Sequence, residues 1–540
     1  MNGLLPSLGG VALFVAAGLG LAELVPAVRT LPWPRRLAWA YLFGIAGLSG
    51  SLYALSHFFD VPLRRPAILW TAAALIATGI AARAVSRRRH RCGPHPLGPP
   101  LPSPPHQPGE GEVARSNDRR ALGGGFPLSR WKWGRWERGT EGVRSGGGRL
   151  RLRKALPWAA TALLVFICLG LFADAVTDPV TGWDGRMTWS TQALWIQDEG
   201  TVDSEVLQRK NLYVTHPQYP LLLPVAQVVV LETFAVPPDV HSYRALYTTF
   251  LAVFLLLLWD GARRWAGRLP GLLAGLAAAG VPAFTFYEDT GAASGYSDLP
   301  LSCFYGAGLL LLLRSRGRVA DALGAGLLLA GAALIKNEGA LLAFFALGAA
   351  ALALPWKKLL RPRQLARLGA AVLPVFLALA LLASWRAGIP NRQDERYGYL
   401  VATADVWPEV VTRIPLMSGL ALRQMFRFDH WTLFWIAVPA VFWVGRRGWS
   451  GRRRRLALAL AAGALAPLVI AWGAYSIHPH FDTLVPVTWT RFLVQGSLPL
   501  FLLLALALRD LIQGRSDQLT RSNRLARVSQ EKFRSEPPRS

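Results

Sequence analysis

Residues 155–176, ALPWAATALLVFICLGLFADAV, run straight into 178–220, DPVTGWDGRMTWSTQALWIQDEGTVDSEVLQRKNLYVTHPQYP. The first stretch is long enough to cross a bilayer as a helix, which takes roughly 17–25 apolar residues. The second is polar, acidic and aromatic, and an apolar run, 221–234, closes it. A chain that only had to cross the bilayer would join such runs by a short turn. A loop this long, with carboxylates set among Trp and Tyr, is where binding or chemistry is expected.

The rest of the chain agrees with a membrane setting. Of 540 residues, 52% are hydrophobic and 17% charged, against a charged share of about 25% in soluble proteins. The expected fold class is an all-α polytopic membrane protein. The net charge of +27 sits in loops between apolar runs, as in the cytoplasmic loops of membrane proteins. Membrane lipids are therefore expected partners and nucleic acid is not. Of the three cysteines, Cys92 lies in a linker and Cys168 and Cys303 in apolar runs; no disulfide framework or metal spacing follows. No Lys or Arg precedes the apolar run from Leu4, so a first span is expected there and not a cleaved signal.

Hydropathy and the positive-inside rule give about 13 spans. They cover 4–27, 38–59, 67–85, 155–176, 241–261, 270–286, 298–313, 319–335, 340–356, 368–385, 431–445, 455–475 and 491–509. Arg29, Arg35 and Arg36, the cluster Arg83–Arg91, and the basic loops at 314–318, 357–363 and 446–455 then face the cytoplasm. This sets the N-terminus outside and the C-terminus inside; Arg64 and Arg65 break the rule. Residues 219–236 are short and punctuated by Pro220, Pro224, Pro237 and Pro238. Treating them as interfacial and not as a crossing preserves the alternation. Four divisions result: three N-terminal spans (1–86), a Pro/Gly-rich basic cytoplasmic linker expected to be disordered (87–154), a core (155–510) with an external loop at 178–240, and a basic tail (511–540). There is no convincing internal repeat. The linker cluster Arg130, Trp131, Lys132, Trp133, Arg135 and Trp136 suits anionic headgroups or a solvated tail.

With this topology the clustered polar groups of the external segments share one side. They are Asp184, His216, Glu288, Asp289, Asp298, Lys336, Glu338, His478, His480, Asp482 and Arg491. A charge at bilayer depth costs about 2.5–3.5 kcal/mol on insertion scales, so each is a functional candidate. Asp184, within Trp183-Asp184-Gly185-Arg186, suits a general base beside a ligand, or a turn cap. His216 and Tyr219 would sit at headgroup depth, where a lipid phosphate lies, or anchor the aromatic belt. Tyr296 precedes Ser297 and Asp298, either of which is placed to cap a helix. Lys336 can hold a phosphate that Glu338 orients, or the two can neutralise each other. Arg491 is a lone external arginine with bidentate donors for phosphate, or it snorkels. His478, His480 and Asp482 have the composition of a metal site without its spacing.

In this order the pieces resemble the GT-C superfamily of membrane glycosyltransferases. That superfamily includes protein O-mannosyltransferases, lipid A aminoarabinose transferases and bacterial RgtA/B/C/D-like glycosyltransferases. The matching motifs are Trp183-Asp184, His216 to Pro224, Gly295 to Asp298, and Lys336 to Gly339, within a core of about 155–510. The resemblance implies a GT-C-like core whose first external loop bears interfacial helices. It implies Asp184 as catalytic base or acceptor-orienting carboxylate. It implies the donor phosphate for Arg491; taken with the residue readings above, Lys336, His216 and Tyr219 are also expected at the phosphate, and Trp183, Arg186, Tyr296, Asp298 and Glu338 at the substrate. Similar loops often carry lysines a few residues beyond the WD pair; here the positions read Thr191-Gln192-Ala193, and Arg186 is the available substitute.

The implied reaction is inverting single displacement of a sugar from a polyprenyl-phosphate donor. The acceptor is an envelope glycan, lipid or protein at the outer face of the cytoplasmic membrane. No cofactor is required; a divalent metal is compatible with the chemistry but not indicated. A transporter or flippase of lipid-linked glycans, a glycan polymerase or ligase, and a non-catalytic envelope scaffold are the alternatives. A transporter should carry polar groups in both halves of the membrane and usually internal repeats.

Overall fold

The computed structural model describes residues 4–91, 147–180, 182–209, 216–236, 243–315, 318–354, 360–389, 406–446 and 449–513. Most of the linker at 87–154 and of the tail lies outside them, as does the tryptophan-arginine cluster at 130–136. All regular structure among the described residues is helical. The principal helices are α1 (Leu4–Glu23), α2 (Trp33–Phe59), α3 (Arg65–Arg91), α4 (Gly147–Thr177), α5 (Thr191–Glu199) and α6 (Leu222–Thr233). Then come α7 (Ala245–Trp265), α8 (Arg268–Ala279), α9 (Asp298–Arg314), α10 (Val319–Ala333), α11 (Asn337–Leu352) and α12 (Pro362–Arg386). The last are α13 (Val406–Met425), α14 (Phe434–Gly445), α15 (Gly451–Ile477), α16 (Phe481–Gln495) and α17 (Ser497–Gln513).

Seven described helices are long and apolar enough to cross a membrane, or eight if the bent pair α16–α17 is one span. Five more apolar helices, α6, α8, α10, α11 and α14, are shorter. Length and composition thus support a polytopic helical membrane protein with fewer full-length spans than the 13 expected. Three local expectations change. The span expected over 491–509 is broken: α16 and α17 meet at 58°, where a Cβ on Gly496 would come within 2.4 Å of the Ala464 carbonyl. Helix α13, with Pro415 inside it, falls where no helix was expected. Finally, α6 does not lie half-exposed as an interfacial helix would. Residues 221–231 are buried throughout, with α1, α2 and α5 packed around them.

Two compact units divide the chain. One comprises Met1–Arg83 with Ala160–Ser540, and the other Ala84–Ala159. The second contributes only the ends of α3 and α4 to the described residues. In the first, the N-terminal helices belong to the same body as the later ones. Small residues let their backbones touch, as at membrane helix interfaces generally. A Cβ on Gly18 of α1 would lie 1.7 Å from the Ala40 carbonyl of α2, and one on Gly44 would lie 1.8 Å from the Phe14 carbonyl.

Polar ties finish the job. On α7, Asp260 is 1% exposed. Its carboxylate pairs with Arg35 of α2 at 2.8 Å and with Arg314 at the end of α9. It also accepts the Trp39 indole N–H at 3.3 Å. The Ala27 N–H donates to Asp321 of α10 at 2.8 Å. At the far end of α2, His57 bridges Asp203 of the long loop (2.9 Å) and Ser384 of α12 (3.0 Å).

Asp260→Asn would leave the buried Arg314 without its counter-charge. The expected cost is about 3–5 kcal/mol, the usual range for removing one partner of a buried pair. Chemical unfolding in detergent measures it; a change within about 0.5 kcal/mol would show that Asp260 is not the tie.

Candidate functional site

The long loop is seated first by its ends. Arg244, just before α7, donates to the Asp174 carboxylate of α4 at 3.0 Å and to the carbonyls of Asp178 (2.7 Å) and Ala293 (2.8 Å). Arg64, which breaks the positive-inside rule, donates to the carbonyls of Gln197 (2.8 Å) and Asp198 (3.0 Å). It therefore sits at the negative end of α5, where a cation is favoured.

Glycines then bring the Asp184 turn onto the segment before α9. A Cβ on Gly185 would meet the Ser294 carbonyl at 2.4 Å, and one on Gly182 would meet the Tyr296 ring at 2.6 Å. This close approach fixes Asp184. Its N–H donates to the Tyr296 hydroxyl at 3.2 Å, and that hydroxyl donates to Asp289 at 3.1 Å. Tyr287 donates to the other Asp289 oxygen, also at 3.1 Å. Burial raises both phenols above their ordinary pKa, with the Asp184 carboxylate adding to the effect at Tyr296 and Asp289 at Tyr287. Tyr287 is pushed up to about 12, so both remain protonated donors near neutral pH.

Five charges from distant parts of the chain form one string. Asp184 pairs with Arg491 of α16 at 2.7 Å, and Arg491 Nε reaches Asp298 at 2.9 Å. Asp298 also accepts from Lys336 Nζ at 2.9 Å and from Gln495 Nε2 at 2.7 Å. Lys336 lies 3.5 Å from Glu338. Asp298 is fully buried and Lys336 is 3% exposed, whereas Asp184 is 15% and Glu338 20% exposed. Access to the string is therefore at its two outer carboxylates. The Arg491 guanidinium also lies over the Tyr296 ring, 4.8 Å from its centroid, a cation–π contact.

An aromatic stack stands beside the string. The His216 and Tyr219 rings are 4.8 Å apart at 15°, and Tyr219 lies 5.5 Å from Trp189 at 26°. His216 has φ 49°, a left-handed backbone that non-glycine residues adopt at a cost. Its carbonyl accepts from Gln192 Nε2 at 3.0 Å. Tyr219 is within electrostatic reach of Arg491.

Of the residues expected at the site, Asp184, Tyr296, Asp298, Lys336, Glu338 and Arg491 come together. His216 and Tyr219 flank them. Trp183 is 56% exposed and Arg186 is exposed; both lie outside the ion-pair string. Asp298 and Ser297 do not cap α9: no side-chain cap bond forms there, and the Asp298 carboxylate is taken up by three side-chain donors. His478 is buried while His480 and Asp482 are exposed. Among the described residues no group of three or more His, Cys, Asp or Glu is placed to hold a metal. Gln495, Tyr287 and Arg244 were missed as site residues, and Asp289, a candidate by its position, was given no role. Gln495 was accessible to reasoning, since it lies four residues after Arg491 and shares its helix face.

Compared with protein-family models, curated proteins and solved structures, the chain matches none.

Asp298→Asn is expected to cost about 3–5 kcal/mol, because it leaves two buried cations short of charge. Glu338→Gln, at the looser and more exposed end, is expected to cost less than about 1 kcal/mol. Paired unfolding curves in detergent check the contrast, and equal losses would show that the string has no buried centre.

Proposed function

We propose that the chain is a membrane glycosyltransferase of GT-C type. It would move a sugar from a polyprenyl-phosphate donor to an acceptor hydroxyl at the outer face of the cytoplasmic membrane. One observation carries the reading. Asp184, Asp298, Lys336 and Arg491, up to 307 positions apart, meet in one largely buried group, and its partly exposed carboxylate, Asp184, is the residue expected to be the base. Structural ion pairs alone would not need an acid left at the entrance beside strained, stacked aromatics.

The chemistry follows from that arrangement. Oδ2 of Asp184 is held by Arg491, which leaves Oδ1 to accept a proton. The acceptor oxygen bonds to the anomeric carbon as its proton passes to Asp184. The bond from that carbon to the phosphate oxygen breaks, and its electron pair leaves with the phosphate. Attack opposite the leaving group inverts the anomeric centre. Arg491 and Lys336 supply fixed positive charge, which stabilises developing negative charge without reorganisation. The basic loops supply the orientation, placing residues 178–240 outside by the positive-inside rule. The acceptor is an envelope glycan, lipid or protein.

A second reading, a carrier for the same lipid-linked sugar, gains one observation. The Asp260, Arg35 and Arg314 group is also buried and lies at the opposite end of α9. Polar groups are therefore present at both ends of this helix, where the sequence reading placed them on one side only. That group is closed by its own members and by Trp39, so it offers less to a ligand than Asp184 does.

Asp184→Asn should lower transfer by about 10²–10⁴-fold, the usual contribution of a general base, while the protein still folds, because Arg491 keeps its bond to Asp298. The assay uses purified protein, a prenyl-phosphate sugar and membrane extract. Full activity would remove Asp184 as base, and transport without transfer would favour the carrier. For orientation, a cysteine-free background with Glu205→Cys should react with an impermeant thiol label from outside. Arg363→Cys should react only from inside, and the reverse pattern would overturn the placement of the site.

A further inference from the structure

The cations of the string are already spoken for: Arg491 faces two carboxylates, and Lys336 faces two. Arg386, the last residue of α12, is different. Its Nε donates to the Gln218 carbonyl at 2.9 Å, and its second nitrogen donates to the Asn337 side-chain oxygen. Both acceptors are neutral, and among the described residues no carboxylate pairs with it.

The groups around it lack acceptors too. The side-chain nitrogen of Gln218 is buried without a hydrogen-bond partner, and so is the hydroxyl of Tyr53. Gln218 is 9% exposed and Tyr53 fully buried, and Tyr53 lies within electrostatic reach of Arg386. Helix α11 begins at Asn337 with no side-chain cap, so its first N–H groups present partial positive charge. A partly buried guanidinium, an amide N–H, a phenol and a helix N-terminus all call for the same thing. Leaving such groups unmatched is costly, and an oxyanion satisfies a guanidinium, an amide and a hydroxyl together.

We propose that Arg386, with Gln218 and Asn337, forms a phosphate-binding subsite. It adjoins the ion-pair string by single-residue steps: Asn337 follows Lys336, and Gln218 precedes Tyr219. Resting on the glycosyltransferase reading, the subsite holds the phosphate of the lipid-linked donor. Arg491 and Lys336 then act chiefly to hold Asp184 and Asp298. This shifts the donor phosphate from the two cations first expected to hold it onto one that no described carboxylate pairs. The polyprenyl phosphate and a phospholipid headgroup present the same chemistry, and the experiment separates them.

The test measures binding of farnesyl phosphate, farnesol and phosphatidylglycerol to the purified full-length protein by native mass spectrometry, with melting followed in parallel. Farnesyl phosphate should bind and farnesol should not. Arg386→Gln should weaken farnesyl phosphate binding about tenfold or more, as loss of a charged hydrogen bond does, with Arg386→Lys in between. Without ligand, Arg386→Gln should melt close to the wild type, because the lost bonds to Gln218 and Asn337 are offset by removal of a partly buried charge that no described carboxylate pairs. A residue with a merely structural role would lower melting. If farnesyl phosphate binding survives Arg386→Gln but is lost in Lys336→Gln, the subsite is overturned while the glycosyltransferase reading stands. If only phosphatidylglycerol binds, and does so through Arg386, the site belongs to a bilayer lipid and its link to the donor is overturned. If no phosphate compound binds at all, both the subsite and the donor reading fall.

Discussion

The buried carboxylate of Asp298 is the contact on which the rest of this arrangement depends. It accepts from Arg491, Lys336 and Gln495 at 2.7–2.9 Å and is fully closed to solvent. An ion at that depth is tolerated only when its attraction and hydrogen bonds offset desolvation. Three donors from two other segments achieve this, and in doing so they fix where α16 and the start of α11 stand relative to α9. Asp184 is held in turn, because its partner Arg491 cannot move without breaking the bond to Asp298. The other end of α9 is fastened in the same way, by Arg314 on Asp260. This helix of 17 residues, about 25 Å long at 1.5 Å per residue, is thus clamped by charge at both ends.

Much of the fold and site was legible in the sequence, for identifiable reasons. Apolar runs reveal helices one segment at a time, and polar residues at their ends stand out because they are expensive there. That was enough to find Asp184, Asp298, Lys336, Glu338 and Arg491. Their roles were harder. Asp298 looked like a cap because capping is local, while its actual partners lie 38 to 197 positions away. The stretch 222–233 looked interfacial because it is short and bounded by prolines. It is instead buried, since α1, α2 and α5 supply the apolar cover. Helix α13 was invisible because its charges, Glu409 and Arg413, break the hydropathy run, yet they pair with each other four residues apart. Arg386 stands at the outer end of an expected span as Arg491 does, but Arg392 and Arg396 follow it closely, so it did not stand out.

The N-terminal helices also change standing. They lie outside the stretch that resembles GT-C enzymes, but they are not an appendage in the structure. Tyr41 donates to the Leu246 carbonyl at 2.9 Å, Trp39 to Asp260, and His57 reaches both the long loop and α12. The loop bearing Asp184 therefore leans on α2 as well as on α4. Mutations in the first 60 residues have a physical route to the site through Ser56, whose hydroxyl accepts the Val202 N–H at 3.2 Å, and through His57.

The string of charges also constrains how the protein is made. Asp298 and Lys336 leave the ribosome well before Arg491, with more than 150 residues between. Until Arg491 arrives, the new chain must hold Asp298 near membrane depth with Lys336 as its cation, and Lys336 is shared with Glu338; a lone charge there costs about 2.5–3.5 kcal/mol on insertion scales. Helices α9 and α10 together with the head of α11 then form the earliest unit in which the Asp298–Lys336 pair can close, because Lys336 follows α10 directly. The last helices enter a body that already displays a negative socket, and Arg491 is the key that seats them. Assembly order and site construction become the same event: the Asp184 turn gains its partner only when the C-terminal end of the chain has been inserted.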